Sequence, residues 1–197
     1  MAKKELKPSA NFIPTPAVLI SSGEEGKNAN VMTAAWTGIA CSEPPYISVA
    51  IRPGRHSSRL IKESGEFVVN LPDESLLRET DWCGIVSGRN VDKFKKAGLT
   101  AKKASRVKAP LVENCPVNLE CRVKEVVSLG VHDLFIGEVL AVHVEERFVE
   151  KGERLDPKKL KPLVYWPPNR EYWSFGEHLA GYGFSGKKGM GPEEDAE

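Results

Sequence analysis

Val117, Leu119, Cys121 and Val123 alternate with Asn118, Glu120, Arg122 and Lys124. A period of two sends the apolar set to one face and the polar set to the other, as a strand does and a helix does not. Such a strand needs neighbours. Leu134–Glu145 (LFIGEVLAVHVE) supplies one, with His132-Asp133 near the connecting turn. Upstream, Pro16–Ser22 (PAVLISS), Val31–Ala40 (VMTAAWTGIA) and Tyr46–Ile51 (YISVAI) read as a three-stranded meander. The stretch from Gly23 to Asn28 reads as one of its turns, and Ser42-Glu43-Pro44-Pro45 as the other, because proline cannot join a ladder. Glu66–Leu71 and Pro162–Trp166 are two further short strands.

Helical signals are few and short. Ser57 or Ser58 is placed to cap a helix over Arg59–Ser64, ended by Gly65. Asp73 is placed to cap a second helix that runs to about Trp82. Asn90 or Asp92 opens a third around Val91–Ala97, stopped by Gly98. Many β segments with a few short helices predict a mainly β, barrel-like single domain with peripheral helices. That domain is expected over residues 1–185, with a flexible acidic tail at 186–197.

Charge narrows the function classes. Lys and Arg number 28 against 27 Asp and Glu, a formal net charge of +1. No global field therefore draws this chain to nucleic acid or to an anionic membrane, and any anion site must be local. No apolar run approaches the ~20 residues of a bilayer span. The lysines near the N-terminus precede no apolar stretch, unlike a signal peptide, so the expected location is the cytoplasm. Cys41, Cys83, Cys115 and Cys121 form no C-x-x-C pair and read as inert thiols rather than disulfides or metal ligands. His143 and Glu145 share a strand face without a third ligand, so no metal site is expected. No nucleophile motif stands out.

Two segments carry chemistry. In Arg52–Arg59 (RPGRHSSR), three arginines, His56, Ser57 and Ser58 follow a strand and lead into a helix. Free backbone N–H groups, the positive end of the helix dipole and forked guanidinium groups together suit a phosphate. Taken alone, the segment also fits a basic surface loop with a capped helix. In Asn30–Trp36 (NVMTAAW), Thr33, Ala34 and Ala35 put small side chains on both faces of a strand. A flat ring could lie close to that backbone and pair with its N–H and C=O groups. Small residues also suit a crowded barrel interior. Neighbouring strands would set the ring platform and the phosphate pocket side by side, the arrangement a mononucleotide requires.

The ordered set NVMTAAW, SEPPYISVAIRPGRHSSRLI, GEFVVNLP and DWCGIVSGRNVDKF resembles the flavin reductase-like, FMN-binding split-barrel family, and within it the flavoredoxin and ferric-reductase-like branch. The resemblance implies a Greek-key split barrel and a homodimer with one FMN per subunit near the interface. By the same resemblance, the backbone of Thr33, Ala34, Ala35 and Trp36 would hold the ring edge and ribityl chain, flanked by Asn30 and Met32. Ala50, Ile51 and Arg52 would run beneath the ring. Arg55, His56, Ser57 and Ser58 would hold the phosphate, and Ser87 and Lys93 would approach the same cofactor. No catalytic side chain is implied, because the flavin carries the chemistry. NADH or NADPH would be the electron donor and a flavin, ferric iron or a redox protein the acceptor. The alternative is an electron carrier with no nicotinamide site.

Overall fold

The computed structural model of the protein describes residues 1–152 and 154–185. Its elements in chain order are β1 (Thr15–Pro16), β2 (Val18–Ser22), β3 (Asn30–Ala34), β4 (Thr37–Cys41), β5 (Tyr46–Ile51), α1 (His56–Ser64), β6 (Glu66–Leu71), α2 (Leu77–Ile85), α3 (Lys93–Ala97), β7 (Ala101–Lys102), β8 (Leu111–Val112), β9 (Val117–Leu129), β10 (His132–Val144), α4 (Pro157–Leu160), β11 (Val164–Trp166) and β12 (Glu171–Trp173).

Seven strands form one antiparallel sheet in the order β3-β2-β6-β9-β10-β5-β4. β3 and β4 are consecutive in the chain yet lie at opposite edges. Laid flat, the six gaps would separate those edges by about 28 Å. The three Cα steps from Ala34 to Thr37 span at most roughly 11 Å. The sheet must therefore curl until its edges nearly meet, leaving β3 and β4 adjacent but unpaired. This is the split barrel the sequence led us to expect.

Closure also corrects two expectations. Val31–Ala40 is not one strand: it breaks at Ala35-Trp36, where the chain steps across the seam, and Ala50 N–H donates to Trp36 O at 2.8 Å on the far side. The first 51 residues are accordingly not a meander, because β4 continues with β5 rather than with β3. The long hairpin β9–β10 runs past the expected bounds, pairing from Val117↔Val144 to Leu129↔His132. Gly137 sits at one of its register shifts because a Cβ there would lie 2.5 Å from the Phe67 ring. β12 was not foreseen; it joins β1 and β11 in a three-stranded sheet.

The core has two layers. Val18, Ile20, Val49, Ile51, Phe67, Cys121 and Phe135 fill the barrel. Leu19, Val31, Cys83, Phe94 and Cys115 lie in a second cluster with residues of α2 and α3. β2 is buried on both faces, which is why Val18, Leu19 and Ile20 are apolar in succession rather than alternating; Ser21 and Ser22 are buried as well, and Ser21 Oγ donates to Pro110 O. Burial pushes the Cys83 thiol up to about 11 and the Cys121 thiol up to about 12, as expected of inert cysteines. Among the described residues no helix is long and apolar enough to cross a membrane, and no cluster of potential metal ligands occurs. Residues 174–185 form no helix or strand, and the tail expected at 186–197 lies outside the described residues.

Candidate functional site

The barrel seam opens into a cleft of ≈ 620 Å³. Both segments singled out above meet there. Met32, Thr33, Ala34, Ala35 and Trp36 line it from the β3–β4 corner, and Ala50, Ile51, Arg52 and Arg55 from the end of β5 and its loop. The small side chains at 34, 35 and 50 leave the backbone open to a ligand. Thr33 Oγ donates to Thr80 O, which ties β3 to α2 and puts Asp81, Gly84 and Ile85 on the same cleft.

α1 begins earlier than its sequence suggested. Its N-cap is Arg55, with no side-chain cap, so Ser57 and Ser58 lie inside the first turn instead of capping it. The reason is tertiary: Asn30 Nδ2 donates to Ser57 Oγ at 2.7 Å. That contact leaves the Ser57 O–H proton free to donate elsewhere. Ser58 is 1% exposed, and neither its Oγ nor His56 Nδ1 has a hydrogen-bond partner among the described residues. A buried polar atom without a partner is costly, so these two point to a missing one. An uncapped helix start adds unsatisfied N–H groups. Burial lowers the His56 pKa, and the charges of Arg59, Arg89 and Lys93 lower it further. The N-terminal end of α1 is therefore a positive, donor-rich corner suited to an anion.

The remaining expected residues are placed as follows. Asn30 is buried behind Ser57. His56 lines a neighbouring groove with Gly88 and Arg89. Lys93 is 3% exposed and donates to Cys83 O at 2.7 Å; burial brings its pKa down to about 8. Ser87 is exposed and its Oγ accepts from Arg89 N–H. Of the expected residues, Asn30, His56, Ser57, Ser58, Ser87 and Lys93 are not among those lining the cleft. Arg59 turns away to pair with Glu63 at 2.7 Å.

Several lining residues escaped the sequence reading: Ala17, Asp81, His132, Tyr165 and Arg170 among them. Tyr172 also lines the cleft. Its ring lies tilted against that of Tyr165 (5.3 Å), which in turn approaches Trp36 (6.5 Å). The Tyr172 hydroxyl donates to Asp81 Oδ1 at 3.1 Å, and burial together with that carboxylate raises its pKa.

Gly88 is packed where a Cβ would fall 1.8 Å from Asn30 Oδ1. Gly88→Ala is therefore expected to displace Asn30 from Ser57 and to cost about 1–3 kcal/mol. A thermal midpoint equal to that of the wild type would show that the contact relaxes freely.

A family model described as "Flavin reductase like domain" matches residues 10–174. The chain belongs to the flavin reductase-like family. Solved members lie close to it. The flavoredoxin of Desulfovibrio vulgaris (Miyazaki F) is 36% identical, with a TM-score of 0.88 over 94% of this chain and 100% of that one. The flavoredoxin from Methanosarcina acetivorans is 31% identical, with a TM-score of 0.84 over 94% and 99%. The FMN-binding protein from Thermus thermophilus is 25% identical, with a TM-score of 0.75 over 92% and 97%. The resemblance seen in the ordered motifs is thus a family relation that extends across the fold.

Proposed function

We propose that the cleft binds FMN and that the protein is an oxidoreductase, passing a hydride or electrons from NADH or NADPH to a flavin, ferric or protein acceptor. One observation carries this reading: the small-residue corner at Thr33–Trp36 and the uncapped, arginine-bearing start of α1 open onto one region beside the barrel seam. The cleft volume falls within the usual range for small-ligand sites, ~300–1,000 Å³. Ser57 with its free proton, Ser58 without a partner and the first-turn N–H groups suit the phosphate, and Arg55 adds a charge-assisted bond. Asn30 positions Ser57 from behind, while Arg89 braces the loop by donating to Gly54 O at 3.0 Å. Bound flavin supplies two-electron chemistry at its ring, so the protein's part is to hold, orient and shield it. Trp36, Tyr165 and Tyr172 form an aromatic wall along the cleft, apolar surface against which a flat ring can pack.

The likeness to two flavoredoxins favours a second reading, an FMN electron carrier without a nicotinamide site. Anaerobic mixing of FMN-loaded protein with NADH and with NADPH separates the two. The reductase reading expects rapid loss of flavin absorbance with at least one donor; no loss with either leaves the carrier. A homodimer is part of the proposal. Its support is the apolar surface left uncovered on the sheet, including Ile39 at 86% and Val142 at 56% exposure.

A further inference from the structure

We infer that Arg170 is a specificity-determining residue that grips an anionic group, phosphate or carboxylate, on the second substrate of this cleft; the inference rests on the FMN reading of the same site. The cations near the cleft divide between separate elements. Around the start of α1 and the loop before it stand Arg52, Arg55, Arg89 and Lys93, together with Ser57, Ser58 and the first-turn N–H groups. One phosphate group is already well provided for there. Arg170 comes from elsewhere, the turn between β11 and β12, and faces the same cleft.

Nothing in the cleft neutralises it among the described residues. Asp81 is the sole carboxylate among the lining residues, and it accepts the Tyr172 hydroxyl. Arg170 makes no ion pair and no side-chain hydrogen bond among the described residues. Its backbone is also unusual. Arg170 has φ 60°, a left-handed conformation that a non-glycine residue rarely adopts, in a turn closed by its N–H to Pro167 O at 3.3 Å. The turn has a firm base, since the Trp36–Tyr165–Tyr172 cluster and the Tyr172–Asp81 bond fasten both strands of the hairpin to the barrel and to α2. Arg170 is exposed, so from this fastened turn its unpaired guanidinium is available beside the small-residue ring platform to a charged ligand arriving after the cofactor.

An anionic group could enter on the electron donor, as the pyrophosphate of a nicotinamide dinucleotide, or on the acceptor, as a carboxylate complex. The test uses FMN-loaded wild type, Arg170→Gln and Arg170→Lys. In the donor arm, NADH and NADPH are compared with uncharged N-benzyl-1,4-dihydronicotinamide by the loss of flavin absorbance. In the acceptor arm, dithionite-reduced protein is reoxidised by ferric citrate or by neutral benzoquinone. Arg170→Gln is expected to raise the half-saturating concentration of the charged reagent about tenfold or more in one arm, the loss of one charge-assisted bond. The neutral reagent and FMN affinity should stay within about twofold, and Arg170→Lys should recover most of the loss. Equal effects on charged and neutral reagents, or no effect in either arm, overturn the inference. A wild-type protein that takes up no FMN overturns the cofactor reading as well, and does so before any variant is compared.

Discussion

Replacing Arg55 and Ser57 together by alanine is expected to weaken FMN by about a hundredfold or more while leaving riboflavin within about threefold, since each charge-assisted bond to a phosphate contributes about 1.5–3 kcal/mol. The contrast isolates the phosphate, because riboflavin has the same ring and ribityl chain without it. Arg55 is exposed and caps α1 through its backbone, which alanine preserves, so the fold should survive the change. Ser57 is buried, and its loss leaves Asn30 Nδ2 without its acceptor. A circular dichroism melt therefore accompanies each titration. Flavin fluorescence quenching measures both ligands. Parallel losses for FMN and riboflavin would place the phosphate elsewhere, and the neighbouring groove bounded by His56, Gly88 and Arg89 would be the next place to look.

Local pattern carried some of this and missed the rest for identifiable reasons. The β9–β10 hairpin was legible because apolar and polar residues alternate along β9, although of its polar set only Arg122 and Lys124 are exposed while Asn118 and Glu120 are buried. The break at Ala35-Trp36 was not, since neither residue is a glycine or proline that would mark it and the step is imposed by closure of a sheet whose pairings span the chain. Capping rules favoured Ser57 or Ser58 at the start of α1, and they failed because Asn30, 27 positions earlier, holds Ser57. Asp81 and Gly84 carry no signature of a site; α2 brings them to the cleft through its contact with Thr33. For β12 a signal did exist: Pro167-Pro168-Asn169 makes a turn, and Tyr172 lies across from Tyr165 in the register. The phosphate-binding reading of RPGRHSSR and the ring-platform reading of NVMTAAW needed each other, and what joins them is the curl of the sheet.

The largest effect on stability is expected at Glu120, a residue outside the cleft. Its side chain is fully buried, and its two carboxylate oxygens accept from Ser105 N–H and Oγ, Arg106 N–H, Val107 N–H and His143 Nε2 at 2.5–3.1 Å. This one side chain pins the loop that carries Ala104, Val107 and Ala109 over β6 and β9. Glu120→Ala strands those donors in the interior and is expected to cost about 3–5 kcal/mol. For a domain of this size that lowers the thermal midpoint by roughly 10 °C. Burial alone would raise the Glu120 pKa, but the bonds from Ser105, His143 and Arg106 outweigh it and hold the group below the ordinary 4.5. The sign follows from proton binding. Below 4.5 the unfolded chain takes up a proton that the folded one still refuses, so stability falls as pH drops toward the lowered folded value, while above 4.5 the contribution is complete. Glu120→Gln should therefore flatten the acid limb of the stability curve as well as lower its plateau. A variant that lost stability equally at pH 3 and pH 7 would show that Glu120 acts by packing alone.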